Sequence, residues 1–275
     1  MPILNKDTTL CISLSARPSN NGTRFHNHLY DQLGLNWIYK AFAPTDLKQA
    51  IAGVRGLGIR GAAVSMPYKE AVIALVDTLA PSAAAIDSVN TIVNDGGVLT
   101  AHNTDYSAVL NLLKTHHVSP SLRTVVRGAG GMAKAVVAAL RDAGFRDVVV
   151  VARNEEAGRS LAETYGYVWE PEAQDGAELL VNVTPIGMAG GAEAQQLSFT
   201  LEQVAAAQMV FDVVALPAET PLIGAARGAG KPAITGADVA TLQATEQFVL
   251  YTGITPTDEQ ILAARDFMLA DAPSV

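Results

Sequence analysis

Two segments of the chain carry side chains that could transfer a proton. Lys69 lies in VSMPYKE (64–70), where Pro67 predicts the start of a helix directly after a strand. A lysine in the first turn of a helix is electrostatically unfavourable, which hints at a function. Asp105 lies in HNTDYSAV (102–109), at the entry to another predicted helix, and could pair with Lys69 and bind a substrate hydroxyl. Taken alone, Lys69 is explained equally well as a surface lysine, and Asp105 is explained well as a helix-capping residue.

A glycine-rich loop predicts a phosphate-binding turn. RGAGGMA (127–133) follows a predicted strand and opens a predicted helix, and Gly128, Gly130 and Ala133 occupy the three positions of the pattern G-x-G-x-x-G/A. The first residue permits the tight turn, the second lets the backbone approach a pyrophosphate, and the third allows close packing of helix and strand. The helix amino terminus offers free N–H groups to the phosphates. In this context the pattern predicts a dinucleotide site, with a tight turn that binds nothing as the alternative.

The end of the next predicted strand, DVVVVA (147–152), indicates the type of dinucleotide. An NAD site has Asp or Glu there to hold the ribose 2′-hydroxyl, whereas this chain has Arg153. A guanidinium pairs with a 2′-phosphate, which favours NADP. Glu155 and Glu156 oppose this interpretation, and a solvated arginine at a helix start is the alternative. After a further strand, NVTPIGM (182–188) could pass under a nicotinamide ribose.

Isolated polar residues also interrupt apolar segments. Asn90, in SVNT, would place an amide inside a strand region, where it must find hydrogen-bond partners in the protein or in a ligand. Ser13 and Ser15 share one face of a strand at period two. Gln243 is polar among apolar neighbours in a predicted helix at 237–253. Each of these residues taken alone is more often structural than catalytic.

Composition restricts the class of protein. With 275 residues, 49% of them hydrophobic and 17% charged, the chain can fill the cores of about two domains. The net charge of −8 argues against a nucleic-acid or membrane surface. Cys11 is the single cysteine, which excludes intramolecular disulfides and cysteine-based zinc sites. Since no secretory signal or membrane-spanning run is recognisable, we expect a cytoplasmic protein.

Short β-rich runs alternate with helical apolar spacing, which predicts an α/β fold with βαβ units and mainly parallel sheets. In the first half the predicted strands are 10–14, 37–42, 61–65 and 90–94, and the predicted helices are 23–34, 45–56 and 69–79. In the second half the predicted strands are 123–127, 147–152, 178–183 and 209–214, and the predicted helices are 131–144, 155–164, 237–253 and 257–270. We expect one domain from 1–104 plus 236–275, and a Rossmann-like dinucleotide-binding domain from 105–235.

Together these motifs resemble the shikimate dehydrogenase family, and most of all its shikimate dehydrogenase-like branch. The family's order is kept, over nearly the whole chain, by SLS, VSMPYKE, SVNT, HNTD, RGAGGMA, NVTPIGM, FDVV (211–214) and TGADVATLQATEQF (235–248). The resemblance implies a substrate domain built from both chain ends and an NADP-binding domain between them. It also implies hydride transfer between nicotinamide and a cyclic hydroxy or keto acid, such as shikimate and 3-dehydroshikimate.

The resemblance further implies a role for particular residues. Lys69 and Asp105 would be the catalytic pair, with no metal. Contacts to the substrate would come from Ser13, Ser15, Ser65, Asn90 and Gln243. Contacts to the cofactor would come from Gly128, Ala129, Gly130, Gly131, Met132, Ala133, Arg153, Thr184 and Gly236. The expected partner is a small molecule, bound by a monomer or a homodimer.

Departures from the family pattern leave alternatives open. The stretch 63–65 reads Ala-Val-Ser instead of asparagine–valine–threonine, Ala215 takes the place of a tyrosine, and Ala152 and Asn154 flank the arginine. The segment 15–25 is also longer than usual. The alternatives are a cofactor-binding protein of the same fold with little catalysis, and a quinate-type dehydrogenase that uses NAD.

Two other enzyme classes fit less well. A methylenetetrahydrofolate dehydrogenase also uses a lysine, but a Tyr-x-x-x-Lys spacing is absent around Lys69. A metal hydrolase is disfavoured because His26 and His28, two residues apart, do not share a helix face.

Overall fold

The computed structural model describes residues 4–270, which divide into two compact units. The first unit contains the residues up to Thr104 and those from Thr241 onward, and the second is Asp105–Ala240. The second junction therefore lies inside the helix Gly236–Thr252, whereas the sequence placed it just before Gly236. Among residues 4–270, no helix has both the length and the apolar composition needed to cross a membrane.

The first unit is built on a six-stranded mixed sheet. Its strands are β1 (Thr9–Leu14), β2 (Trp37–Phe42), β3 (Gly61–Val64), β4 (Thr78–Leu79), β5 (Thr91–Asp95) and β6 (Val98–His102), in the order β2-β1-β3-β5-β6-β4. β1 is parallel to β2 and β3, whereas β5 is antiparallel to β3 and β6. Because β5 runs in the opposite direction, its first residue, Thr91, pairs with Ala63 near the carboxyl end of β3.

The helices of this unit come from both of its chain segments. They are α1 (Asn21–Gln32), α2 (Leu47–Gly56), the single-turn α3 (Pro81–Ala84), the later part of α9 (Gly236–Thr252), and α10 (Asp258–Leu269). α1 packs against α10, and Arg24 Nε donates a 2.7 Å hydrogen bond to the carbonyl of Phe267. α10 begins with a capping box between Thr257 and Gln260, which satisfies two otherwise free N–H groups.

The helix expected over 69–79 is wrong. Residues 66–70 form turns, a short 3-10 helix covers Ala71–Leu75, and β4 follows. Asp77 N donates to the carbonyl of Leu99, and β4 then pairs with β6, so the sheet edge draws the segment into an extended conformation. Lys69 consequently lies in a turn, and the electrostatic argument based on a first helical turn does not apply to it.

The second unit contains an all-parallel, six-stranded sheet. Its strands are β7 (Thr124–Arg127), β8 (Val148–Val151), β9 (Val168–Glu170), β10 (Leu179–Asn182), β11 (Met209–Asp212) and β12 (Ala233–Ile234), in the order β12-β11-β10-β7-β8-β9. The chain winds outward from β7 in both directions, which is the Rossmann order. Ligands of such sheets bind at the carboxyl ends of the strands flanking the reversal, here β7 and β10.

The helices of the second unit are α4 (Thr104–Thr115), α5 (Gly131–Asp142), α6 (Glu155–Tyr165), α7 (Leu201–Ala206) and α8 (Pro221–Gly228). Burial explains the apolar, non-alternating strands, since all four residues of β8 are buried. The side chain of Asn154 caps α6 by accepting from Ala157 N at 3.0 Å, and Gly166 ends the helix in the left-handed conformation at φ 76°.

A histidine lies inside the aromatic core of the first unit. His26 is fully buried and its ring stacks on that of Tyr39, with the two centroids 4.4 Å apart. Tyr30, Phe248 and Tyr251 surround the same ring. Burial lowers the pKa of His26 to about 3, because the charged imidazolium cannot be solvated there.

We expect this histidine to make the first unit sensitive to acid. The unfolded chain binds a proton at the usual pKa of 6.5 and the folded chain does not, so the free energy of unfolding falls below pH 6.5 by about 1.4 kcal/mol per pH unit. Between pH 7.5 and 5, His26→Phe should therefore lose about 2 kcal/mol less than the wild type does. Urea unfolding followed by Trp37 fluorescence in a Trp169→Phe background measures this loss. His116→Gln, at an exposed position, is the control, and equal losses in His26→Phe and wild type would contradict the prediction.

Candidate functional site

The second unit has a pocket of about 780 Å³ at the carboxyl ends of β7, β8 and β10. The loops that follow these strands line it, at residues 128–130, 152–154 and 183–186, and the segment 196–200 closes another side. This volume lies within the range of small-molecule and cofactor sites. The pocket therefore lies where the reversal in strand order predicts a ligand.

The glycine loop has the geometry expected of a phosphate-binding turn. Gly128 has φ +123°, and a Cβ on it would lie 2.8 Å from Val183 Cγ2, so only glycine fits there. Gly130 has an ordinary φ of −83°, and a Cβ there would meet no atom within 4 Å. The surface of the loop is thus open at Gly130, so its backbone is accessible to a ligand. Ala133 is fully buried at the base of α5.

The other predicted cofactor residues of the loop fall into two groups. Ala129 lines the pocket together with Gly128 and Gly130. Gly131 and Met132 are the first two residues of α5, where backbone N–H groups lack partners within the helix. The structure thus brings the predicted loop residues together at one helix amino terminus.

A buried hydrogen-bond network fixes the loop after β10. Asn182 Oδ1 accepts from Thr184 N at 3.1 Å and from Thr184 Oγ1 at 2.6 Å, and Asn182 Nδ2 donates to Asp212 Oδ1 at 2.9 Å. Asp212 also accepts from Val214 N and from Thr220 Oγ1. Burial raises the pKa of Asp212 although these donors lower it. Thr184 is thereby held at the rim of the pocket, and its supports, Asn182 and Asp212, were not predicted from the sequence.

Arg153 lies at the pocket, but it already has an anionic partner. Its guanidinium pairs with the Glu193 carboxylate through contacts of 3.2 and 3.3 Å. The side chain of Arg153 is 77% exposed, whereas that of Glu193 is 27% exposed. Glu155, which argued against a 2′-phosphate, pairs instead with Arg159 one turn along α6 at 2.8 Å. Arg153 thus lies just after β8 and lines the pocket, and its contact with a 2′-phosphate stays a prediction.

Gly236 is buried at the start of α9. A Cβ at this position would lie 2.3 Å from the carbonyl carbon of Val214, so packing alone requires glycine. Thr235 and Asp238 form hydrogen bonds across this helix start. Contact between Gly236 and a cofactor stays a prediction.

In the first unit, several predicted substrate residues lie at the carboxyl ends of β1 and β3. Ser15 directly follows β1 and Ser65 directly follows β3, which are adjacent and parallel. Asn90 precedes β5, whose start lies beside the end of β3, and Val64 N donates to the Asn90 carbonyl at 2.7 Å. Ser13 lies within β1, half-buried. The mixed strand directions thus gather four of the predicted side chains at this end of the sheet.

Asn90 is 1% exposed, and its side chain binds Thr104, which lies shortly after the end of β6. Its Oδ1 accepts from Thr104 N and from Thr91 Oγ1, both at 2.8 Å, and its Nδ2 donates to Thr104 Oγ1 at 3.1 Å. The partners demanded by a buried amide are therefore found in the protein. This network positions the residue that immediately precedes Asp105.

The tail helix contributes a glutamine that the sequence analysis missed. Gln247 is 5% exposed, and its Nε2 donates to Thr91 Oγ1 at 2.9 Å. The predicted residue, Gln243, lies one turn earlier and is half-buried. Four-residue spacing puts both on one face of α9. Gln247 was missed because its partner, Thr91, lies in a distant strand that the sequence of the helix does not reveal.

Lys69 and Asp105 belong to different units. Lys69 is half-buried in the turn before the 3-10 helix, and its carbonyl accepts from Val89 N at 2.9 Å. Asp105 is 5% exposed in the first turn of α4, where its charge complements the helix dipole. Their pairing stays a prediction. No group of three or more His, Cys, Asp or Glu side chains within residues 4–270 could hold a metal ion.

Comparison with known proteins identifies the family. The family model described as shikimate dehydrogenase substrate binding domain matches residues 19–92, and that described as shikimate / quinate 5-dehydrogenase matches residues 113–208. A shikimate dehydrogenase-like protein of Haemophilus influenzae is 53% identical over 266 residues, or 96% of this chain and 98% of the relative. The chain belongs to the shikimate dehydrogenase family. The resemblance to its shikimate dehydrogenase-like branch is likewise confirmed.

Enzymes of the family are similar to this member over most of its length. A shikimate dehydrogenase (NADP(+)) of a Geobacter species is 36% identical, covering 87% of this chain and 89% of the relative. The structure of shikimate 5-dehydrogenase from Thermus thermophilus, in complex with NADP(H) and shikimate, matches with a TM-score of 0.84 at 29% identity, covering 95% of this chain and all of that one. The predicted α/β fold with mainly parallel sheets is confirmed.

We expect an added methyl group to weaken cofactor binding at Gly130 and to lower stability at Gly128. Gly130→Ala should leave the melting temperature unchanged, because its Cβ enters open space, but should weaken dinucleotide binding at least tenfold by blocking the approach to the pyrophosphate. Gly128→Ala should instead destabilise the protein by about 1–3 kcal/mol, because of its φ and its contact with Val183. Thermal unfolding and NADPH fluorescence titration measure the two effects. Unaltered binding in Gly130→Ala would show that no pyrophosphate crosses this residue.

Proposed function

We propose that this chain is an NADP-dependent oxidoreductase that transfers hydride between nicotinamide and a cyclic hydroxy or keto acid, either shikimate and 3-dehydroshikimate or a close relative. The observation that carries the proposal is the pocket over the glycine loop, at the strand reversal of a Rossmann-order sheet. Membership of the shikimate dehydrogenase family supports the reaction class.

The residues of the pocket fit the proposed cofactor. The open face at Gly130 and the N–H groups at the start of α5 suit a pyrophosphate, and Arg153 suits a 2′-phosphate. The related Geobacter enzyme is described as NADP(+)-dependent, and the Thermus thermophilus structure contains NADP(H). When bound, the cofactor supplies or accepts the hydride.

Lys69 is the proposed proton donor in the reducing direction. Its ammonium gives a proton to the oxygen on which negative charge develops, and stabilises that charge before transfer. Asp105 is proposed to orient the ammonium and to accept a hydrogen bond from a substrate hydroxyl. In the oxidising direction the same lysine, as the neutral amine, removes the hydroxyl proton.

The residues at the carboxyl ends of β1 and β3 are proposed to bind the substrate. Ser15 and Ser65 present hydroxyls at the ends of adjacent strands, and with Ser13 they suit a carboxylate. Asn90 is tied to Thr91 and Thr104 through its amide, so its proposed contribution to the ring hydroxyls includes the placement of Thr104. Gln243 is proposed to reach the substrate from α9.

A second candidate is a cofactor-binding protein of this fold with little catalysis. The observation that favours it is the altered substrate segment, in which Ala63 and Ser65 take the places of an asparagine and a threonine. The 53% identical relative is likewise called only shikimate dehydrogenase-like. This candidate predicts NADPH binding without turnover.

Removal of the Lys69 amine should slow the chemical step strongly and spare cofactor binding. We expect Lys69→Ala to lower kcat by roughly 10²–10⁴-fold, which is the usual contribution of general acid–base catalysis, with the NADPH Kd within about twofold of wild type. Stopped-flow turnover and fluorescence titration give the two values. Lys48→Ala, at an exposed position of α2, is the matched control. Near-normal turnover in Lys69→Ala would remove this residue from the mechanism.

A turnover screen identifies substrate and cofactor together. Shikimate, quinate, amino-substituted relatives and other cyclic hydroxy acids are each assayed with NADP and with NAD. We expect turnover of at least one shikimate-like acid with a preference for NADP, because Arg153 stands at the end of β8. A clear NAD preference would refute the assignment of Arg153 to a 2′-phosphate. Cofactor binding with no turnover of any acid would favour the second candidate.

A further inference from the structure

A second arginine lines the pocket in addition to Arg153. Arg127 is the last residue of β7 and directly precedes the tight turn at Gly128. Its guanidinium carbon lies 5.2 Å from the centre of the Phe199 ring, which also lines the pocket. The aromatic contact holds the side chain against one wall.

Two polar atoms on this wall are buried without protein partners. Arg127 Nε and Ser198 Oγ are inaccessible to solvent and find no hydrogen-bond partner among the described residues. Ser198 is 3% exposed, and both residues line the pocket. A buried donor without an acceptor is costly, so both atoms point to a ligand that supplies acceptor oxygens.

The charges near Arg127 identify the kind of acceptor. Burial lowers the pKa of Arg127, the Glu172 carboxylate raises it, and the positive charge of Arg153 lowers it again. Arg127 and Arg153 both line this pocket, so their positive charges repel each other within one cavity. A dianion placed between them would relieve this repulsion, and a neutral hydroxyl would not.

One carboxylate in the pocket already pairs with Arg153. Glu193 pairs with both terminal nitrogens of the Arg153 guanidinium and lines the same pocket. Its backbone is tied to the loop after β10, because Gly187 N donates to the Glu193 carbonyl at 3.0 Å. The Glu193 carboxylate thus binds the Arg153 guanidinium in the way that a phosphate would.

We propose that Arg127 and Arg153 together bind the 2′-phosphate of NADP, and that Glu193 competes with this phosphate for Arg153. The inference rests on the proposed function and assigns the two residues that set its cofactor preference. A 2′-phosphate carries about −1.5 to −2 charges near neutral pH, which two guanidiniums match and one does not. Arg127 increases the preference for NADP over NAD, and Glu193 limits it.

The first test separates the 2′-phosphate from the rest of the nucleotide. Binding of 2′,5′-ADP and of 5′-ADP to the full chain is measured by calorimetry for wild type, Arg127→Gln and Arg127→Lys. We expect Arg127→Gln to weaken 2′,5′-ADP by roughly 10- to 100-fold, the range of a charge-assisted hydrogen bond, and 5′-ADP by less than about twofold. Arg127→Lys keeps the charge but loses the planar fork, so its loss should be smaller.

The second test uses the opposite charge. Glu193→Gln should strengthen 2′,5′-ADP binding by roughly two- to fivefold, because Arg153 no longer has a carboxylate partner, and should leave 5′-ADP unchanged. Arg227 and Glu219 form an exposed ion pair at 2.7 Å outside the pocket and provide matched controls. Arg227→Gln and Glu219→Gln should change neither affinity. Thermal unfolding verifies that each variant is folded, and Glu193→Gln keeps the proposal testable if Arg127→Gln is not.

Several results would overturn the inference. Equal weakening of both nucleotides in Arg127→Gln would place this arginine at the adenine or in the support of the pocket. Unchanged 2′,5′-ADP binding would exclude it from the site, and an unchanged affinity in Glu193→Gln would remove the competition. Selective loss of 2′,5′-ADP in Arg127→Gln supports the inference even where the wild type turns over no substrate. A wild type that binds neither nucleotide would overturn both this inference and the proposed function.

Discussion

The contact between Gly128 and Val183 determines the geometry of the pocket. Because a Cβ at Gly128 would lie 2.8 Å from Val183 Cγ2, the turn after β7 packs directly against the loop after β10. The backbone then turns into α5 with Gly130 open to ligand, while Thr184 is held alongside by Asn182 and Asp212. One close approach of two strand ends thus creates both the phosphate turn and the rim beside it.

The parts of the structure that depend on local sequence were predicted from it. The runs around β2, β7 and β8 and the pattern of α5 gave the correct elements, because their apolar spacing and terminal glycines act over short distances. The segment 69–79 was mistaken for helix because its fate depends on pairing with β6, which begins about twenty residues later. Pairing between distant strands is not encoded in a local pattern.

Site residues were predictable where a motif fixes the backbone, as at Gly128 and Gly130. Side-chain partners were not, because they come from distant parts of the chain. Glu193 meets Arg153 across 40 residues, and Gln247 meets Thr91 across 156. Asn90 was correctly singled out as a buried amide that needs partners, but only the folded sheet shows that Thr104 provides them.

The order of the units along the chain has a consequence for biosynthesis. The first unit is discontinuous, because the whole second unit is synthesised between its sheet and its last two helices. The first unit needs α10 against α1, and its core needs Phe248 and Tyr251 beside His26. The sheet of the first unit is therefore synthesised long before these helices and cannot complete its core until they are present. Until then, this nascent sheet exposes apolar surface to which a chaperone can bind.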